Sequence, residues 1–136
     1  MSEQARTTAR KFFEGQDRLR GGPDPDLCGE GYIVHLGSNP PMNFHGHQQM
    51  AAAFYAGFPD LRHVIEEVLS EGDRAVVRFR IQGTNTASFM GIPPSGKRVD
   101  VGAVAVMKVV EGKAVDLRGE FDQLGLMQQI GAIPGR

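Results

Sequence analysis

Cysteine is nearly absent. Cys28 is alone in 136 residues, so no intrachain disulfide can form and no thiolate metal site can be built. Its neighbours Leu27 and Gly29 suggest a buried structural thiol, because a free cysteine usually behaves as a small hydrophobe. An excess of charge is missing as well: 15 Lys and Arg stand against 16 Asp and Glu, for a net charge of −1. With no basic run either, the chain has no electrostatic footprint for nucleic acid or an anionic membrane. No stretch approaches the roughly 18 apolar residues that a membrane span requires. Residues Met1 to Arg10 also lack the apolar core of a secretory signal, so a cytoplasmic location is the expectation.

What is present is ordinary for a globular chain, with 40% apolar and 23% charged residues in a length that suits one domain over residues 1–136. Ala5, Ala9, Phe12, Phe13 and Leu19 recur at near-helical spacing, which predicts an amphipathic first helix stopped by Gly21-Gly22-Pro23. Tyr32 to His35 reads as a strand, and His47 to Ala56, with its unbroken Ala51-Ala52-Ala53, reads as a second helix closed by Gly57. From Leu61 onward the period switches to two. His63–Leu69, Ala75–Gln82, Lys97–Val110 and Lys113–Asp122 are expected strands, with turns at Glu71-Gly72-Asp73 and Glu111-Gly112. Helices followed by a run of antiparallel strands predict an α+β fold.

The last strand holds the most chemistry. Asp116, Arg118, Glu120 and Asp122 alternate with Leu117, Gly119 and Phe121, and so clean an alternation by itself predicts a charged wet face and an apolar core face. The spacing of His45-Gly46-His47 occurs in some metal sites, but no third ligand accompanies it and a role at the helix start is the expected one. Arg78, Arg80 and Gln82 share a strand face. Gly102, Val104 and Val106 alternate with Ala103, Ala105 and Met107, a strand apolar on both faces and expected to be buried on both.

Two further stretches carry a resemblance. Gly83 to Arg98 reads GTNTASFMGIPPSGKR, and Phe121-Asp122-Gln123-Leu124-Gly125-Leu126-Met127-Gln128-Gln129-Ile130-Gly131 follows near the C-terminus. In this order and spacing they resemble the signature of the SnoaL-like polyketide cyclases, or ester cyclases. Phe58-Pro59-Asp60-Leu61, Glu71 to Arg78 and Glu111-Gly112-Lys113 fit the same pattern, so the likeness covers roughly residues 30 to 134.

The resemblance implies the cone-shaped curved sheet of the nuclear transport factor 2 superfamily, wrapped by N-terminal helices around a pocket, with no cofactor. It implies that Asp122 is an inward-facing general acid/base. Strict alternation would then turn Glu120 and Arg118 inward as well, with the two carboxylates about 7 Å apart. A bulge at Gly119 would break that inference. His35 matches a histidine at the family's pocket mouth. Where the family shows Glu-His-Trp, this chain has Asp116-Leu117-Arg118, which points to a more polar pocket. Met50, Phe54, Phe58, Phe89, Met90 and Phe121 are either core or the lining for a flat polycyclic ligand, Phe89 and Met90 being the better candidates because they sit on the signature loop.

The activity so implied is a cofactor-independent intramolecular aldol closure of a polyketide-like ester, in which Asp122 moves the proton and His35 or Arg118 steadies the enolate. A binding module that catalyses nothing is one alternative. An epoxide hydrolase of the limonene type is another, supported by Arg118, Phe121 and Asp122 and by Arg80. It is weakened because Arg80-Ile81-Gln82 lacks the acid that would activate water, while Arg98-Val99-Asp100 aligns elsewhere. A homodimer is expected, to cover the second face of the sheet.

Overall fold

A computed structural model describes residues 2–134; the outermost positions of the expected domain, 1, 135 and 136, lie outside the described residues. The first helix, α1 (Ser2–Leu19), forms where the apolar stripe is. Glu3 in its first turn and Arg18 in its last suit the helix dipole. It stops where Arg20 turns left-handed, at φ 54°, ahead of Gly22 and Pro23. A 3-10 turn (Pro25–Leu27) leads into β1 (Cys28–Leu36). The second helix, α2 (Phe44–Gly57), begins three residues earlier than its apolar pattern suggests, because the Asn43 side chain accepts a hydrogen bond from the Gly46 N–H, 2.9 Å.

The strands β2 (Arg62–Glu71), β3 (Arg74–Thr84), β4 (Arg98–Val110) and β5 (Lys113–Phe121) follow. The Glu111-Gly112 turn between the last two has both residues at positive φ, 52° and 75°, the geometry that joins twisted antiparallel strands in two residues. A short final helix, α3 (Gln123–Gln129), ends the described chain. Periodicity alone does not find it, since seven residues are too few to show a stripe.

The sheet order is β1-β5-β4-β3-β2, with β1 parallel to β5 and the other pairs antiparallel. This is the α+β arrangement expected, with one parallel pair at an edge. The helices cover a single face. There Phe12, Phe13, Val77, Phe79, Met107 and Leu117 form the main core, each large side chain contributing about 1.5–3 kcal/mol by leaving water. Among the described residues nothing covers the opposite face. On β4, Ala103, Ala105 and Met107 are buried under the helices while Val104 is 45% exposed, so within one chain this strand is buried on one side rather than on both.

Candidate functional site

Between α1, α2 and the helix-covered face of the sheet lies a cavity of about 90 Å³. Phe79, Ile81, Ala103, Ala105, Leu117 and Phe121 supply its sheet wall, and Phe13, Met50 and Phe54 its helical wall. An apolar cavity of about 150 Å³ accepts a benzene ring. A larger ligand therefore enters only if the half-buried Met50, Phe54 and Phe121 give way.

The polar residues along this space, Gln16, His47, Tyr55, His63 and Glu120, come from elements far apart in the chain, and Asp17 stands behind two of them. Asp17 lies one helical turn beyond Phe13 and so continues the inner face of α1. Its carboxylate accepts three hydrogen bonds: from the Tyr55 hydroxyl (2.7 Å), the His63 backbone N–H (2.7 Å) and His63 Nδ1 (2.7 Å). Burial on its own would raise the Asp17 pKa, but hydrogen bonding and charge from His63, with the Tyr55 hydroxyl, hold the carboxyl below the usual carboxylate range. Arg20 closes the cluster from outside, its guanidinium 4.9 Å over the Tyr55 ring and donating to the Leu61 carbonyl (3.2 Å) and the Pro59 carbonyl. The His63 ring sits between Phe13 and Phe79, each centroid 5.5 Å away, and lines the cavity.

A second imidazole lines the same space. His47 is 4% exposed, its Nδ1 lies 2.9 Å from the Tyr32 hydroxyl, and its ring stacks on Tyr32 with 12° between planes. Burial, with the charge of His63 as a smaller cause, lowers its pKa from 6.5 to about 4. The unfolded chain therefore binds a proton that the folded chain refuses between those values. The contribution of His47 to stability is whole above pH 6.5 and drains away as pH falls toward 4, by about 3 kcal/mol. Urea unfolding at several pH values in this window is expected to show that slope in wild type and a flatter one in His47→Gln.

The residues singled out from the sequence divide sharply. Met50, Phe54 and Phe121 do line the cavity. Phe58 and Phe89 are 0% and 2% exposed and pack on each other, centroids 5.1 Å apart, in a second core cluster. Met90 is 72% exposed at a left-handed turn of the signature loop, φ 50°. The loop itself is structural. Fully buried Asn85 donates to the Ala87 (2.9 Å) and Gly57 (3.3 Å) carbonyls and accepts from the Ser95 N–H and hydroxyl, 2.9 Å each. Gly57 has no alternative, because a Cβ there would lie 2.8 Å from the Phe89 Cβ.

The charged set of β5 faces the other way. Leu117, Gly119 and Phe121 look into the cavity, whereas His35, Arg80 and Arg118 border a groove on the bare face of the sheet, and the exposed Glu120 borders both. The β4–β5 register is regular across Gly119, its one shift lying near Lys108/Val109, so no bulge re-aims these side chains. Arg118 pairs with Asp116 (3.2 Å) and Arg80 with Asp100 (2.5 Å). Alternation alone had the faces right. The inward orientation of Arg118 and Glu120 implied by the resemblance is corrected, because it assumed that Asp122 continues the strand.

Asp122 does not continue it. It leaves extended geometry at φ −75°, ψ 79°, is exposed, and caps α3 by accepting from the Gly125 N–H, 2.8 Å. Asp122→Ala is expected to lower stability by about 1 kcal/mol, read as a shift in the denaturation midpoint. The histidines of His45-Gly46-His47 point apart, the first exposed and the second buried. Among the described residues, no group of three or more His, Cys, Asp or Glu side chains could hold a metal ion, and no helix is long and apolar enough to cross a membrane. Cys28 is half-buried, and burial above all pushes its thiol up to about 12.

Sequence reasoning missed Asp17, Tyr32, Tyr55 and the roles of His47 and His63. One signal was available: Gln16 and Asp17 are polar residues set where the apolar stripe of α1 should run on.

A family model described as SnoaL-like polyketide cyclase matches residues 3–130. A solved structure of a protein provisionally assigned as a SnoaL-like polyketide cyclase, from Jannaschia sp. CCS1, is 30% identical with a TM-score of 0.83, covering 98% of this chain and 95% of that one. AclR, provisionally assigned as a hydroxylase, from Streptomyces galilaeus, is 20% identical at a TM-score of 0.88, over 100% and 86% of the two chains. IdmH, provisionally assigned as a polyketide cyclase, from Streptomyces antibioticus, is 22% identical at 0.80, over 92% and 96%. At these lower identities AclR and IdmH speak for the fold alone. A comparison with curated proteins returned no significant match.

Proposed function

From the premise that this chain belongs to the SnoaL-like polyketide cyclase family, we propose that it closes a ring in a small carbonyl compound by intramolecular aldol addition. The observation that carries this reading is the Asp17–His63 pair, whose imidazole lines a mainly apolar cavity while the carboxylate stands behind it. A ring nitrogen whose partner atom is held by a carboxylate is a ready proton acceptor. His63 takes the proton beside a carbonyl, the enolate carbon attacks a second carbonyl of the same molecule, and the new alkoxide takes the proton back. Mass is unchanged, and no cofactor takes part. The apolar wall holds the reacting carbons close, which replaces a search through rotamers.

The test is mass-spectrometric turnover of a panel of polyketide methyl esters, from single-ring diketones to anthraquinone type, with Asp122→Asn in parallel. A product of the same mass and altered retention, formed by wild type and by Asp122→Asn alike, is the expected result. Loss of turnover in Asp122→Asn would return the proton transfer to Asp122. Binding of a panel member without any product would favour the binding module.

The homodimer belongs to this proposal too, because Val104 at 45% and Val76 at 36% exposure lie on the bare sheet face, ringed by the Arg78–Glu66 and Arg80–Asp100 pairs. Sedimentation at micromolar concentration is expected to give a dimer for wild type and a monomer for Val104→Lys; a monomeric wild type rejects it.

A further inference from the structure

The two imidazoles in the cavity wall have partners of opposite character. His63 Nδ1 faces a carboxylate, which can only accept, so Nδ1 must carry a proton, and in the neutral ring Nε2 is left with the lone pair. His47 Nδ1 faces the Tyr32 hydroxyl. That hydroxyl is buried and keeps its proton, burial having raised its pKa well above the usual range. Among the described residues it has no other acceptor, so it donates to His47 Nδ1 and places the His47 proton on Nε2. Neither Nε2 has a partner among the described residues, yet no buried side-chain N or O atom is left unsatisfied there. Both Nε2 atoms are therefore open to the space their rings line.

We propose that His47 and His63 act as a pair fixed in opposite tautomers. His63 Nε2 accepts the proton from the carbon beside a carbonyl, and His47 Nε2–H donates a hydrogen bond to that carbonyl's oxygen as it becomes an enolate. The C–H electron pair becomes the enolate C=C bond while the carbonyl π pair moves to oxygen. The proton rests on His63 as an imidazolium facing Asp17, and His47 keeps its own. A neutral imidazole suits the task, because it stabilises the oxyanion in a dry site without offering a proton that would have to be recovered. Asp17 and Tyr32 are positioning residues.

This assigns a substrate class to the proposed site, and it rests on that reading in taking this cavity as the place of reaction. Among the described residues no lysine or arginine lines the cavity, whose one charged edge residue beside the histidines is the acid Glu120, so the reacting end is an uncharged ketone or 1,3-dicarbonyl rather than a carboxylate. The small free volume asks that this end be compact.

Long-range proton–nitrogen NMR of the ligand-free protein at pH 7.5 tests the tautomers without any turnover. The expected result is His63 protonated on Nδ1 and His47 on Nε2, with His47 becoming a tautomer mixture in Tyr32→Phe. The reverse tautomer at either ring overturns the pair even if ring closure is confirmed. The chemistry is tested with 2-tetralone, a neutral bicyclic ketone, by the rate of deuterium uptake from solvent into its acidic CH2. Uptake is expected to fall at least 100-fold in both His63→Gln and His47→Phe, while 2-naphthol, which mimics the enolate, binds at least 10-fold more weakly to His47→Phe alone. If uptake and 2-naphthol binding survive in a folded His47→Phe, the donor role is wrong. If the NMR tautomers hold but the panel esters give no ring, only the cyclase reading fails.

Discussion

His63→Gln is expected to lower kcat for ring closure by about 10²–10⁴-fold, the range that a positioned general base supplies, while leaving the fold in place. Retention of the fold follows from what stays behind. Asp17 would still accept from the Tyr55 hydroxyl and from the backbone N–H of residue 63, and Gln can itself donate to the carboxylate. Loss of one buried hydrogen bond of this kind costs about 1–3 kcal/mol, visible as a lowered unfolding midpoint without loss of cooperativity. Asp17→Asn separates base from positioner, because an amide can still hold the ring but does not favour the imidazolium. Its kcat is expected to fall about 10-fold or more with KM nearly unchanged. A His63→Gln protein that is folded, binds substrate and turns over at the wild-type rate would remove this residue from the mechanism.

Asn85→Leu is expected to cost about 3–5 kcal/mol, enough to lower Tm by roughly 10 °C or more. The side chain keeps its four heavy atoms and their branching, so packing contacts are not what is lost. Four hydrogen bonds are: leucine would strand the Ser95 N–H and the carbonyls of Gly57 and Ala87 around a side chain that is itself shut off from water. The damage should spread to the cavity, because this loop presses Phe89 onto Phe54, centroids 4.9 Å apart, and Phe54 is a lining residue. Thr86→Ala, a change at the exposed neighbour, should stay within about 0.5 kcal/mol. Calorimetry of the two variants checks the contrast; equal midpoints would mean that the signature loop is not held by Asn85.

These expectations place the signature motifs in a different light from the one their prominence suggests. The GTNTASFMGIPPSGKR stretch and the Asp122 stretch belong largely to the scaffold: Asn85 clamps the loop and Asp122 starts α3. Motif and reactive group need not coincide, because a backbone path that only certain residues can follow constrains a sequence as firmly as chemistry does. The reacting groups proposed here sit in segments with no signature at all.

The sequence by itself determined the two long helices, the strands and their faces, though not the short α3. Apolar spacing in α1 and alternation along β3, β4 and β5 are properties of neighbouring residues, and hydrophobic burial acts on each element in much the same way wherever its partner comes from. That is why Leu117 and Phe121 were legible as inward and Arg118 and Glu120 as outward from period alone, and why the resemblance found the fold. Only the tertiary structure decided which polar residues meet. Tyr55 and His63 lie 38 and 46 positions from Asp17, and Tyr32 lies 15 from His47. No local pattern links them, because each contact depends on how α1 and α2 cross a twisted sheet, and a hydrogen bond made at 2.7 Å is lost with an ångström of misplacement. The end of β5 was decided in the same way. One turn of backbone at Asp122, held by the Gly125 N–H, converts the next inward position of a strand into the cap of a helix.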